Sequence, residues 1–275
     1  MSALLAEAGA LAAYRRAVRA TLEPATIAGP SPVHPFVLTS PEFARTTRRI
    51  TGADPSQVHI SQEFTVHRLL RDDEKVSSSL EVTGARREAR GIRVAMRTEI
   101  RDADGGPVCA MVTTVLLTGV TEPEPFGEMP PLAAPAGRNV ASTGSPAGTG
   151  RAEPVTRTVS LSRADVAGYA EVSGDRNPIH LDDEAARAAG FDSVIAHGMS
   201  VVALVTELAV DLFAGGDPAR VRGLGCRFSS PVRPGEPVEV SFRPDESGSV
   251  VAFTCATPRG IALKGGWITL GDGDA

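Results

Sequence analysis

Residues 199–216 read MSVVALVTELAVDLFAGG. The run is long enough for four helical turns and closes on Gly215-Gly216, a natural helix stop. It is apolar on nearly every face, so it belongs inside a core and not on a surface. Directly after it, residues 223–244 read GLGCRFSSPVRPGEPVEVSFRP, in which Val238, Val240 and Phe242 alternate with Glu239, Ser241 and Arg243. Period two with one apolar face marks a half-buried antiparallel strand. Two more strand-like runs follow at 249–256 and 261–270. A buried helix wrapped by an antiparallel sheet is the simplest architecture for this pattern.

The first part of the chain repeats it. HISQEFTVHRLLRDDEKVSSSLEV at 59–82 matches 223–244 through Phe64 and Phe228, a turn at Asp73-Glu74 or Gly235-Glu236, and alternating apolar residues. Strand-like runs at 92–100 and 107–118 follow. Each half opens on a Tyr-bearing helical patch, LAAYRRAV or DVAGYAEV. We read a diverged internal duplication, with helix first and strands after. Between the halves, residues 121–154 hold seven prolines and five glycines and few aliphatics, the composition of a linker. The expected organisation is 1–120, a linker at 121–154, and 155–275.

Bulk composition excludes several classes. The net charge of −5 and an aromatic content of 4% argue against nucleic acid as partner. Cys109, Cys226 and Cys255 form no C-x-x-C pair, and three cysteines give no disulfide framework, which fits a reduced, cytoplasmic setting. The first twenty residues lack the charge layout of a secretory signal, and no apolar run reaches membrane-spanning length, so no membrane partner is expected.

The chemistry lies in YAEVSGDRNPIHLDDE at 169–184 and VIAHGM at 194–199. Ser173-Gly174 ends a helix, and Asn177 before Pro178 is forced into a turn. Asp175 and His180 then stand at the two ends of a compact turn. A carboxylate and an imidazole held this way can grip one water between them, the first taking a proton and the second giving or receiving one near neutrality. Gly198 precedes the buried helix, whose first N–H groups lack internal partners and carry positive partial charge, as an enolate oxygen on a thioester carbonyl needs. Glycine there lets a ligand oxygen come close.

The stretch Y-x-x-V-S-G-D-x-N-P-I-H with A-H-G-M resembles the signature of the MaoC-like family of (R)-specific enoyl-CoA hydratases and 3-hydroxyacyl-thioester dehydratases. The resemblance implies an α+β double hot-dog fold, each half a long central helix wrapped by an antiparallel sheet. It implies that Asp175 and His180 are the catalytic pair, that Asn177 supports the turn, and that the Gly198 amide binds the thioester oxygen. The first half matches more weakly, through HPFVLTSPEF and its strands. It has no G-D-x-N-P-x-H, so one active site is expected, with the first half degenerate and non-catalytic.

Asn177, His197, Met199 and Arg227 are assigned to substrate binding, with His197 read chiefly as a structural hydrogen-bonder. His34, His59 and His67 lack suitable companions and are read as structural or exposed. Arg86, Arg87, Arg90 and Arg93 are read as a solvated loop in preference to a coenzyme-phosphate site. No metal is expected, since Asp175, His180 and Asp182 or Asp183 fit no familiar ligand spacing. No cofactor is expected beyond the coenzyme A or carrier-protein phosphopantetheine of the substrate itself. The partner expected is an acyl-CoA or acyl-ACP in fatty-acid, lipid or polyketide metabolism, with a homodimer left open. Two other functions stay in view: a thioesterase on the same fold, and a non-catalytic acyl-thioester-binding subunit.

Overall fold

The computed structural model describes residues 2–23, 29–52, 56–130 and 153–272. The first half runs β1 (Ser2–Ala6), α1 (Ala8–Val18), α2 (His34–Thr51), β2 (Ser56–Val66), β3 (Glu74–Glu88), β4 (Gly91–Asp102), β5 (Pro107–Thr118) and the two-residue β6 (Phe126–Gly127). The second runs β7 (Val155–Ser160), α3 (Arg163–Ser173), a single 3-10 turn (Pro178–His180), α4 (Asp183–Ala188), α5 (Gly198–Phe213), β8 (Val221–Phe228), β9 (Pro237–Pro244), β10 (Val250–Thr257) and β11 (Gly260–Leu270). The sequence order of helix first is corrected on both sides: β1 precedes α1 and β7 precedes α3. These strands are short, SALLA and VTRTVS, and neither sequence alternates apolar with polar residues along its length.

All strands join one sheet in the order β1-β3-β4-β5-β2-β8-β11-β10-β9-β7, with β6 beside β3. The order is the same read from either edge, as two copies of one unit joined back to back require. The join is β2 against β8, antiparallel from Ser61↔Arg227 to Thr65↔Gly223. Within this ladder Gln62 faces Cys226, with the same separation along the chain as Phe64 and Phe228. Those two positions therefore mark a pseudo-two-fold axis. Part of the expected linker is structured, since Phe126–Gly127 pairs with Gly84–Ala85 of β3. Residues 131–152 of that linker lie outside the described residues.

α5 is buried without interruption from Met199 to Val210, as its apolar sequence demands. Each large side chain buried there contributes on the order of 1.5–3 kcal/mol. α2 does not repeat this. Only His34, Pro35, Thr39, Thr46 and Thr47 are buried along it. Its sequence, HPFVLTSPEFARTTRRIT, is too polar for a core, so the expectation of a buried helix in each half holds for the second alone. α2 instead lays Phe43 and Ile50 on a smaller cluster of Ile92, Val94, Met96 and Leu117.

The halves are also joined by charge. Glu207, fully buried in α5, accepts from Arg15 Nε and Nη2 at 3.0 and 2.9 Å and from Arg19 Nη1 at 2.9 Å. Arg19 also pairs with Asp211 at 2.8 Å. Arg15 lies on α1 and Arg19 is its C-cap residue.

Candidate active site

α3 starts on a capping box between Ser162 and Asp165 and ends on Gly174 at φ 71°, a left-handed conformation that glycine adopts without strain. A ladder of local bonds then fixes the turn. Ser173 Oγ accepts from Asp175 N at 3.2 Å, Asp175 Oδ1 from Asn177 N at 3.2 Å, and Asn177 Oδ1 from Ile179 N at 3.4 Å. Asn177, at φ −55° and ψ 123°, is held extended by Pro178. Its role is to shape the turn, and its amide oxygen is committed there.

The 3-10 turn swings His180 inward, where it is buried. Its Nδ1 lies 2.8 Å from the carbonyl oxygen of Ile195. A carbonyl only accepts, so Nδ1 carries the proton and Nε2 keeps a free lone pair. His197 is anchored in the opposite sense: its Nε2 donates to the backbone oxygen of Asp175 at 2.9 Å. The two imidazoles stack with centroids 3.8 Å apart and planes 30° apart. Burial holds His180 below the ordinary histidine range, opposed by the Ile195 carbonyl and the Asp175 charge. His197 falls to about 4, through burial first and then the neighbouring His180 charge. At neutral pH the stack is uncharged. Asp175 is exposed, so water reaches its carboxylate.

One ligand-type atom from each of Asp175, His180 and His197 lies within 4.8 Å of the others. Zinc ligands sit about 2.0–2.2 Å from the ion, and near-parallel stacked rings do not aim their lone pairs at one point. The trio suits proton transfer better than coordination. Asp182 and Asp183 are drawn elsewhere: Asp182 caps α4 through Ala185 N, and Asp183 binds Arg163 and the Val194 amide.

Gly198 is the first residue of α5, with His197 as N-cap. Its N–H has no carbonyl one turn earlier to bond and points positive charge out of the helix end. The structure adds a second reason for glycine: a Cβ here would lie 2.8 Å from Phe228 Cε1. Met199 is buried in the core around α5. Arg227 does not reach the site. It is exposed and alternates with inward-facing Cys226 and Phe228, so its side chain leaves the opposite face of the sheet. The arginines read as a solvated loop are mostly on strands, Arg86 and Arg87 at the end of β3 and Arg93 on β4, with Arg90 in the turn between; Arg87 pairs with Glu124 and Arg93 with Glu88.

Three residues were not singled out by sequence. Tyr169, on the DVAGYAEV patch, packs on His197 at 5.0 Å and on Tyr14 at 5.7 Å. Phe228 walls Gly198. His59, read as structural or exposed, packs against Phe228 at 4.4 Å. The first half carries an echo of the site. Tyr14 meets His34 edge-on at 4.9 Å, much as Tyr169 meets His197 at a 47° tilt, and Pro35 follows His34 where Gly198 follows His197. Proline has no N–H to offer.

Known proteins resemble this chain in sequence and in fold. Residues 142–252 match the family described as MaoC like domain. A 3-hydroxybutyryl-CoA dehydratase of Methylorubrum extorquens is 33% identical over 110 residues, 38% of this chain and 69% of that protein. The 3-hydroxyacyl-thioester dehydratase Y of Mycobacterium tuberculosis is 28% identical over 222 residues, 79% of this chain and 72% of that protein. Other curated relatives are longer, and the matched part of the chain spans 10% to 59% of them. A crystal structure of a MaoC-like dehydratase from Phytophthora capsici superposes with a TM-score of 0.75 at 21% identity, over 99% of this chain and 95% of that one. The back-to-back halves are thus the double hot-dog fold. No helix among the described residues is long and apolar enough to cross a membrane.

Proposed function

The chain belongs to the MaoC-like dehydratase family, and on that premise we propose that it catalyses the reversible hydration of trans-2-enoyl thioesters to (3R)-3-hydroxyacyl thioesters. The observation that carries this is the opposed anchoring of two stacked histidines. It leaves His180 Nε2 free beside the Asp175 carboxylate, at the N-terminus of α5. In hydration, a water between Asp175 and His180 loses a proton to this pair as its oxygen bonds to C3. The C2–C3 double bond opens, and negative charge moves to the thioester oxygen, where the Gly198 N–H receives it. The charge returns to C2 as that carbon takes a proton from the pair. Every charge that develops is met by a proton or an amide, so the cycle calls for no metal or redox cofactor.

The acyl group is carried on coenzyme A or on acyl carrier protein, in fatty-acid or related lipid or polyketide metabolism. The first half, lacking the turn and with Pro35 in the amide position, does not catalyse; it supplies the other wall of the site and the partner edge for β8.

The test is an absorbance assay of crotonyl-, octenoyl- and longer enoyl-CoA hydration by chelator-treated protein, with product stereochemistry determined. Hydration to the (3R) product is expected. A (3S) product, activity lost with chelator, or free thiol release in place of hydration overturns the proposal.

A further inference from the structure

His59 belongs to β2 of the first half, yet it stands beside the second half's site. Gln62, Phe64 and Val66 face inward along β2, a parity His59 does not share. A β-bulge intervenes: the register with β5 runs His59↔Val115 and then Ser61↔Thr114, leaving Ile60 unmatched. One extra residue reverses which face the chain presents, and bulges re-aim side chains in this way. The bulge turns the His59 imidazole to the inner face. There it stacks on Phe36 of α2 at 5.6 Å and packs, tilted by 36°, against Phe228 of β8 at 4.4 Å. Phe228 in turn lies against Gly198.

The surroundings are apolar enough to lower His59 to about 4 by burial. Gln62, the Ser61 backbone and the charge of Asp175 only partly oppose this. The imidazole is thus neutral at working pH and near enough to Asp175 to feel its charge. Its Nε2 is sealed from solvent and has no hydrogen-bond partner among the described residues. A buried polar atom left without a partner is costly, and native structures rarely keep one without a use. Phe36 and Phe228, both only partly buried, are the rings that cover it.

We infer that His59 is a substrate-contacting residue of the second half's active site, its Nε2 hydrogen-bonding the polar C1–C3 segment of the bound acyl thioester once the covering rings turn aside. This rests on the hydratase reading for its ligand. The first half thereby contributes chemistry as well as a wall, although it has no acid–base turn of its own.

His59→Phe keeps the aromatic column and removes the hydrogen bond; His59→Gln keeps a polar terminus near the place of Nε2. Both are assayed with octenoyl-CoA for kcat and KM, alongside thermal midpoints. Loss of one buried hydrogen bond to substrate predicts a fall in kcat/KM of roughly 10–100-fold for H59F, with H59Q recovering at least a third of the lost logarithm. In parallel, the His59 ring resonances of the wild-type chain are followed by NMR on adding octanoyl-CoA, a saturated thioester that cannot be hydrated. They should shift at saturation. A kcat/KM for H59F within twofold of wild type, or ring resonances unmoved at saturation, overturns the inference. Should H59F fail to fold, H59Q and the NMR titration decide. If the wild type hydrates nothing yet octanoyl-CoA moves His59, the reaction has been misread while the contact stands.

Discussion

His180 and His197 stack face to face at 3.8 Å with their carbonyl bonds made by opposite nitrogens, Nδ1 in one and Nε2 in the other. Adjacent imidazoles of free rotamer would exchange tautomers readily. Here each tautomer is set by a backbone oxygen, and the backbone oxygen that His197 holds is that of Asp175. His197 therefore orients both members of the pair, one by stacking and one by hydrogen bond.

Removing the pair's chemistry while keeping its shape tests the assignment directly. Asp175→Asn and His180→Gln should each lower kcat/KM by at least about 100-fold, the low end of acid–base contributions. The thermal midpoint should change little for Asp175→Asn, since that side chain is exposed. Near-normal turnover by either variant would make that residue structural.

Asp175 also favours the charged form of His180. In Asp175→Asn that support is gone, so the His180 ring should titrate at lower pH than in the wild type. Both should titrate below the ordinary 6.5. NMR titration of the His180 ring checks the order; a rise on removing Asp175 would contradict it.

Stability carries the same sign. His34, His59 and His197 are each lowered to about 4 by burial. Between that value and 6.5 the unfolded chain binds more protons than the folded one, so stability rises with pH across the window. It is complete above about pH 6.5 and lost as pH falls toward 4. Urea midpoints should therefore fall steadily from pH 7 to pH 4.5, and the His34→Gln and His197→Gln variants should show a shallower fall.

Gly198→Ala places a Cβ 2.8 Å from Phe228 Cε1, so the Phe228 ring must be pushed out of its packing against His59. The thermal midpoint should drop by several degrees, as overpacking of about 1–3 kcal/mol implies. Pairing it with Phe228→Leu should restore the midpoint without restoring activity. Full recovery of activity would show that the amide's placement is insensitive to this wall.

Much of this was legible in the residues. The uninterrupted apolar run of α5 announced a buried helix, and S-G-D-R-N-P-I-H contains every group that closes the turn, because those bonds are local. His59 was not legible. Its position depends on a bulge at Ile60 and on a strand pairing between the halves, and neither leaves a local pattern. Arg227 shows the mirror case: proximity in sequence to Phe228 says nothing about which face of a strand a side chain leaves. The Pro35 substitution could have been found by aligning V-H-P-F with A-H-G-M.

Glu207 would be a buried carboxylate without Arg15 and Arg19, and stranding such a charge costs about 3–5 kcal/mol. Residues 153–275 alone should accordingly be insoluble, or should self-associate through the bared edge of β8. Size-exclusion chromatography of that fragment checks this. A soluble, fully active monomer would show the first half to be dispensable.

The strand order that reads alike from both edges has a consequence for how the gene could be cut. The central join is made of ladder hydrogen bonds between β2 and β8 and of two arginines on one glutamate, all of them noncovalent. Peptide continuity through 131–152 raises the local concentration of one half near the other but makes none of those contacts. Two separate open reading frames, one ending at residue 130 and one beginning at 153, should then yield a working heterodimer when expressed together.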